Sequence, residues 1–186
     1  MKTIKFLTFF SMILLLSSCN AIADLASKTI QVDAPAIDFS ILPAAASAPQ
    51  QKVIAGVQTE AVWLDKQVDI ATVITSKLSE NGLKLSNVKT LDIIASKIHL
   101  ITEITQTYNL GDIKIYVNNV VIAQSTASSV SPTQKDINLT YTQPYSLFDF
   151  LSAGTVQIKV TSTVATPNIK FDMQLLNTYS TKISLF

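Results

Sequence analysis

The chain carries a single histidine, His99, and most catalytic chemistry would have to run through it. Ser-His-Asp, Cys-His and zinc sites all draw on an imidazole, and His99 falls in a stretch with the periodicity of a strand. The sequence contains no G-x-S-x-G elbow, H-E-x-x-H, C-x-x-C or phosphate-binding glycine loop. We therefore interpret His99 as an ordinary strand residue and predict no catalytic residue, no metal site and no cofactor.

Paired carboxylates offer another route to hydrolysis, because glycosidases use two of them. Asp65 and Asp69 lie four residues apart before an expected helix, and Glu103 follows an expected strand. Charged groups are mostly exposed, and an aspartate just before a helix usually caps it. A capping carboxylate and solvated side chains are the favoured interpretation, and a hydrolase that uses these carboxylates is the alternative.

Exposed aromatic rings would indicate sugar binding, because they stack on pyranose rings. Tyr116 has the opposite parity to the apolar Ile115 and Val117 and is predicted to be exposed. Trp63 and Tyr141 share the apolar parity of their strands and are predicted to lie in the core. Three further tyrosines fall near strand ends or loops. The predicted ligand platform comprises Tyr108, Tyr116, Tyr145 and Tyr179.

The first eighteen residues have the composition of an export signal. Lys2 and Lys5 form a basic head, and the apolar run from Phe6 to Leu16 follows it. A membrane-spanning helix needs about 20 apolar residues, so this run is too short to cross a bilayer. We interpret residues 1–18 as a signal that is read and removed.

The end of this signal is more specific. Leu16-Ser17-Ser18-Cys19 resembles the lipobox of bacterial lipoproteins, in which the cysteine is diacylated and becomes the first residue of the mature chain. Cys19 is the only cysteine, so it has no disulfide partner within the chain. The alternative is simple secretion, because Ala21-Ile22-Ala23 offers an ordinary cleavage site.

The resemblance implies a protein attached to a membrane through its N-terminal lipid, with residues 19–27 as a tether. Two or more acyl chains hold a protein stably, whereas one does not. Asn20 is not the aspartate that favours inner-membrane retention in enterobacterial lipoproteins, so the resemblance favours the outer membrane of the cell envelope. The resemblance does not specify which leaflet of that membrane carries the protein.

Composition narrows the range of partners. All fourteen basic residues are lysines, and without Lys2 and Lys5 the remaining twelve face thirteen carboxylates, a formal charge of −1. A chain without arginine and without a basic excess is not built for polyanions, and we exclude nucleic-acid binding. Residues 28–186 are rich in Ile, Val and Leu and suit a single packed domain.

Alternation of apolar and polar residues dominates residues 28–186 and predicts strands buried on one face. Seven to nine such strands, with turn signals about every ten residues, predict an all-β antiparallel β-sandwich with one or two short helices. The pair 156–164 and 169–175 is predicted to be antiparallel. The strand signals are Ile30 with Val32, Ile37 to Ile41, Val53 to Trp63, Leu91 to Leu100 with a bulge near Ser96, Ile113 to Ile122, Ile137 to Tyr141, Val156 to Val164, Ile169 to Leu175, and Ile183 with Leu185 as a last edge strand.

Other local signals mark turns and helices. Asn118-Asn119 predicts a two-residue hairpin whose five flanking apolar side chains, from Ile113 to Ile122, share one face. Pro43–Gln51 and Ser125–Lys135 are predicted loops. A helix is predicted over 70–81, capped by Asp69 and ended by Gly82. A helical turn over 145–153, with Ser146 and Asp149 as a capping pair and Gly154 at its end, completes the prediction.

Three functions are consistent with these observations. The favoured one is a lipid-anchored, non-enzymatic binding or assembly module with an envelope protein or glycan as partner. The alternatives are a carbohydrate-binding lipoprotein and the carboxylate hydrolase described above.

Overall fold

The computed structural model describes residues 27–43, 60–141, 143–164 and 169–184, and these form two antiparallel sheets packed on one another with one α-helix. The predicted all-β sandwich is therefore confirmed. In chain order the elements are β1 (Ser27–Asp33), β2 (Ile37–Ile41), β3 (Ala61–Asp69), α1 (Ile70–Glu80), β4 (Val88–Leu100), β5 (Tyr108–Val117), β6 (Val120–Val130), β7 (Asp136–Asn138), β8 (Thr140–Tyr141), β9 (Tyr145–Ser146), β10 (Thr155–Ser162) and β11 (Phe171–Ser184), with 3-10 turns at Leu85–Asn87 and Phe148–Phe150.

The strands divide between a sheet A and a sheet B. Sheet A has the order β1-β11-β4-β7, with β2 also paired to β11 and β9 also paired to β4. Sheet B has the order β3-β10-β5-β6-β8. Strands β10 and β11 thus lie in different sheets, which corrects their prediction as an antiparallel pair. The strands in excess of the expected seven to nine are β7, β8 and β9, each of two or three residues.

The last strand, β11, is the centre of sheet A. It alternates buried and half-buried residues along its whole length, from Phe171 to Ser184. Ile183 is therefore fully buried in a central strand, and the prediction of a separate edge strand there is wrong. The inward positions Asn177 and Thr181 interrupt the apolar pattern, and their side chains are hydrogen bonded to Ser96 and to the Thr90 carbonyl. These partners make the two polar side chains tolerable in the core.

A bulge in β4 changes which alternate residues of the strand are buried. The pairing with β11 passes from Ile93 directly to Ala95, and the buried set changes from Leu91 and Ile93 to Ser96 and Ile98. The extra residue shifts the alternation by one position. The predicted bulge near Ser96 is confirmed.

The helix α1 follows its predicted boundaries within one residue. The Asp69 carboxylate accepts a hydrogen bond of 2.8 Å from the Thr72 backbone N–H, and it also accepts one from the Thr72 hydroxyl. Ile70, Ile74 and Leu78 are buried on one face. Gly82, with φ of 68°, follows the helix.

Replacing Asp69 with alanine is expected to lower the free energy of unfolding by about 1 kcal/mol, because the N-terminal N–H groups of α1 lose their acceptor. Asp69→Asn should stay close to the wild type, since asparagine caps equally well. Urea unfolding followed by circular dichroism measures both. Equal losses in the two variants would show that the cap is not the cause.

The predicted hairpin at Asn118-Asn119 is present. The two residues have φ of 47° and 67°, as a two-residue turn of this type needs. Its apolar side chains do not all share one face, however. Val120 is 49% exposed although it lies opposite buried Val117, and further from the turn the register shifts and places Ala123 opposite Ile115.

One expectation from a polar sequence is wrong. The predicted loop at 125–135 is strand β6 as far as Val130, with a bulge around Ala127, whose φ is 48°. Its hydroxyl-rich sequence pairs with β5.

The predicted helical turn over 145–153 is confirmed in part. A 3-10 turn at Phe148–Phe150 continues as a turn to Ala153, and Gly154, with φ of 78°, follows it. Residues 145 and 146 instead form the short strand β9, and Ser146 accepts from the Phe148 N–H.

Some expectations lie outside the described residues. They are the export signal, Cys19 and nearly all of the tether, most of the 43–51 loop, the alternation from Val53 to Val57, and Leu185. Trp63, predicted in the core, is 8% exposed and confirms that prediction.

Candidate functional site

The predicted tyrosine platform is not assembled. Tyr179 is 1% exposed, and its burial raises the pKa of the phenol to about 12. Tyr108 packs edge-on against buried Phe171, with ring centroids 5.2 Å apart, and Tyr145 packs on the core from sheet A. Only Tyr116 stands on the outer face of sheet B. A single ring offers no extended stacking surface for a glycan.

Tyr116 belongs to a polar cluster on sheet B. Its hydroxyl donates to Glu60 Oε2 over 2.8 Å, and Glu60 Oε2 also accepts from Thr161 Oγ1 over 2.6 Å. Lys114 Nζ lies 2.5 Å from Glu60 Oε1. The Lys159 ammonium sits 4.5 Å from the Tyr116 ring centroid, a cation–π distance. Because both its hydroxyl and a ring face are engaged, Tyr116 serves to hold Glu60 against β5 and β10.

Glu60 should make stability depend on acid pH. Its pKa is lowered to about 2, first by the hydrogen bond from Lys114 and then by that from Thr161. Because the pKa of Glu60 is lower in the folded state, ionised Glu60 stabilises the fold at pH values above its ordinary pKa of 4.5. This stabilisation is lost as the pH falls towards 2. We expect Glu60→Gln to lose less stability than the wild type between these limits.

Urea unfolding of the two proteins at a series of pH values measures this. Asp69, Asp136 and Asp172 also have lowered pKa values, and their contribution cancels in the comparison. Parallel pH profiles for wild type and Glu60→Gln would contradict the prediction.

The three candidate hydrolytic carboxylates have separate partners. Asp69 caps α1, Asp65 accepts a hydrogen bond of 2.8 Å from Gln157, and Glu103 pairs with Lys135 at 2.5 Å. Asp65 and Asp69 belong to β3 in sheet B, and Glu103 follows β4 of sheet A. Each carboxylate therefore has a partner of its own, and the three are spread over both sheets.

The structure does assemble a charged cluster around β7. Asp136 lies opposite His99 in the register of β7 and β4. Its Oδ1 atom is 2.6 Å from His99 Nδ1, and its Oδ2 atom is 3.0 Å from Lys97 Nζ. These hydrogen bonds, from His99 first and Lys97 second, lower the pKa of the Asp136 carboxyl, so the carboxylate is ionised and accepts from both.

A polar cleft of about 290 Å³ opens beside this cluster, between the edge of β6 in sheet B and β7 in sheet A. We call it the β7 cleft. Its lining is mostly hydroxyl and amide, with one carboxylate. The side chains that matter here are those of Ser125, Thr126, Ser129, Gln134, Asp136 and Asn138.

A second depression lies on the other side of β7. This groove of about 500 Å³ runs over the bulge of β4 and is lined by Lys97, Leu176 and Thr178 among others. Asn138 lines both the groove and the β7 cleft. β7 therefore borders both depressions. Lys97 lines the groove and Asp136 lines the β7 cleft, and their ion pair lies between the two.

Comparison of the chain with protein-family models, curated proteins and solved structures found no match.

The β7 cleft suits binding of a polar, uncharged ligand. Its carboxylate is already neutralised by Lys97 and hydrogen bonded to His99, while its hydroxyls and amides supply donors and acceptors in several directions. Within the described ranges, no group of three or more His, Cys, Asp or Glu side chains could hold a metal ion.

Sequence reasoning found His99 but missed its partners. Asp136 and Asn138 flank the buried Ile137 in a three-residue strand, and the hydroxyls come from a segment predicted to be a loop. The only local signal was the alternation around Ile137. Which strand β7 joins is decided by tertiary packing, and that pairing creates the cluster.

Of the helices in the described part of the chain, none has both the length and the hydrophobicity needed to span a membrane.

Proposed function

We propose that this protein is a lipid-anchored component of the bacterial cell envelope, attached to the outer membrane through Cys19, and that its β-sandwich is a non-enzymatic binding module. The anchor rests on the resemblance of Leu16-Ser17-Ser18-Cys19 to the lipobox. A stable attachment requires more than one acyl chain. A diacylated cysteine supplies that, and a further acyl group on its amine would strengthen it.

The observation that carries the binding role is the composition of the β7 cleft. A charge-balanced cleft lined by hydroxyl and amide groups favours a ligand that presents hydroxyls or amides and no net charge. The Asp136 carboxylate, held by Lys97 and His99, acts as a fixed acceptor at its wall. Binding then needs no catalytic residue, and each ligand hydroxyl can meet a side chain on either β6 or β7.

The anchor is tested by mass spectrometry of the protein isolated from a bacterium with lipoprotein-processing enzymes. We expect a mature chain that begins at an acylated Cys19 and partitions with membranes. Cys19→Ser should leave the protein in the soluble fraction. A mature chain that begins at or after residue 20 would overturn the lipid anchor and support simple secretion.

A carbohydrate is a second, more specific candidate for the ligand, favoured by the hydroxyl and amide lining. Neutral oligosaccharides on a glycan array are the probe. Gln134→Ala and Asn138→Ala should each weaken binding roughly fivefold, the effect of losing one hydrogen bond worth about 1 kcal/mol. Gln124→Ala is the matched control, because Gln124 is exposed on β6 but does not line the cleft.

Equal binding by the Gln134 and Gln124 variants would show that the ligand does not bind in the β7 cleft. An array without any bound glycan would remove the carbohydrate and leave a protein or peptide as the ligand class. Hydrolytic turnover of envelope substrates that is lost on changing Asp65, Asp69 or Glu103 would overturn the non-enzymatic role.

A further inference from the structure

One end of the sandwich gathers the start of the described chain and an apolar cleft. In sheet A, Lys28 lies opposite Ile183, and Ile183 lies opposite Val88, so β1 begins where β11 ends and β4 begins. The 3-10 turn at 85–87 leads directly into β4 at this edge. We call this the basal end. Ile101, just beyond the other end of β4, marks the opposite end.

The cleft at the basal end is mainly apolar. It has a volume of about 510 Å³ and lies between the two 3-10 turns. Leu85, Val88 and Leu151 line it, and Phe148 stands at its side with 40% of its surface exposed. A phenylalanine left exposed beside an apolar cleft is a feature of surfaces that meet another apolar phase.

Exposed lysines lie at the same end of the sandwich as this cleft. Lys84 precedes the 3-10 turn that lines the cleft, and Lys89 follows the lining residue Val88 in β4; both are exposed. Lys28, also exposed, lies in the row of sheet A next to its end. Asp149 lines the cleft itself. Exposed ammonium groups near an apolar cleft are complementary to anionic phospholipid headgroups over acyl chains.

The length of the tether ties this end to the membrane. Only residues 19–26 separate the lipid-bearing position from Ser27, the first residue of β1. Eight residues span at most about 29 Å, whatever path they take. Since β1 begins at the basal end, the lipid is held near that end and not near Ile101.

We infer that the basal end is a membrane-facing surface, on which Phe148 enters the lipid interface and Lys28, Lys84 and Lys89 contact anionic headgroups. This inference rests on the proposed lipid anchor. It adds an orientation to it, because a flexible tether alone would leave the domain free to tumble. With the basal end docked, the β7 cleft stays accessible, because β7 pairs with residues 97–99 near the other end of β4.

The test uses the acylated chain in vesicles of phosphatidylcholine and phosphatidylglycerol that contain a nitroxide-labelled phospholipid. Phe148→Cys and Ile101→Cys are compared, each labelled with a maleimide fluorophore. Both positions are exposed and apolar, at 40% and 45%, and they lie at opposite ends. An acylated Cys19 is a thioether and does not react, so each variant carries one label.

We expect quenching at position 148 to exceed that at 101 by roughly threefold or more, because nitroxide quenching requires contact with the lipid interface. Adding Lys84→Glu and Lys89→Glu should bring the two values together, and so should high salt. Equal quenching at both positions, or stronger quenching at 101, would overturn the inference. The fluorescence of the label at position 148 is also measured in detergent without vesicles. If it changes with protein concentration there, the cleft binds a second copy of the chain, and the inference is overturned.

The two proposals fail separately. If Cys19 is retained without an acyl group, it takes up a second fluorophore, and if cleavage after Ala23 removes it, the chain is shorter. Mass spectrometry detects either result before any quenching measurement. Both would overturn the anchor. An acylated chain with equal quenching at both ends would overturn only the orientation.

Discussion

Replacing Gly111 with alanine is expected to lower the free energy of unfolding by about 2–5 kcal/mol. Gly111 has φ of +66°, a conformation that costs an L-residue about 1–2 kcal/mol. A Cβ atom there would overlap Thr163 Oγ1 and lie 2.9 Å from Val164 Cγ2. Relieving such overpacking costs about 1–3 kcal/mol more.

The surroundings make the overlap difficult to relieve. Thr163 Oγ1 accepts a hydrogen bond of 2.9 Å from the Asp112 N–H, and the Thr163 N–H donates to the Asp112 carbonyl. Gly111 also lies at a register shift between β5 and β6, opposite Ser128. Moving Thr163 away would therefore break the contact that ties the end of β10 to β5.

Gly154→Ala is the matched control for this prediction. Gly154 has φ of +78°, but nothing lies within 4 Å of the Cβ that alanine would add. Its loss should be limited to the backbone cost of about 1–2 kcal/mol. Urea unfolding of both variants separates the two contributions. If Gly111→Ala is no less stable than Gly154→Ala, the steric argument fails.

Replacing Phe171 with alanine is expected to cost about 3–5 kcal/mol, the usual range for a fully buried phenylalanine. Phe171 has no exposed surface and begins the central strand β11 opposite Ile41 of β2. The edge of one ring also packs on Tyr108 of sheet B, at an interplanar angle of 84°. The substitution therefore leaves a cavity between the two sheets and removes an aromatic pair.

Phe148→Ala is the control, because the same side chain is removed from a position that is 40% exposed. Its cost should stay below about 1 kcal/mol, as for most surface substitutions. Thermal and urea unfolding measure both variants. Comparable losses would mean that the interior around Phe171 is not the packed core between the sheets.

Much of the fold follows from short-range physics and was predictable from the sequence. A hydrophobic residue every second position must lie on one face of a strand, which predicted the alternation in β2, β5 and β10. The Asp69 cap and the Asn118-Asn119 turn depend on side chains within three residues of each other, so their geometry is local. Lipidation of Cys19 is likewise predicted from four adjacent residues, and it stays a prediction.

The strand prediction for β11 was wrong where a polar side chain is buried and forms a hydrogen bond with a residue far away in the sequence. Asn177 is separated from Ser96 by 81 residues, and Thr181 from the Thr90 carbonyl by 91. Without those partners both side chains would belong outside, so the sequence alternation breaks at these positions and predicts two strands where β11 is one. The hydroxyl-rich half of β6 was interpreted as a loop because its sequence lacks apolar alternation, and its backbone pairing with β5 makes it a strand.

The candidate site depended most on long-range contacts. His99 was visible as the single imidazole, yet Asp136 reaches it across 37 residues through a pairing of β4 with a strand of only three residues. The sequence by itself determined which faces of the strands are apolar, where the helix and the hairpin turn, and how the chain is expected to reach a membrane. Only the tertiary structure decided which strands are neighbours, because register and sheet order are set by the summed packing of all the strands and by hydrogen bonds between residues far apart in the chain.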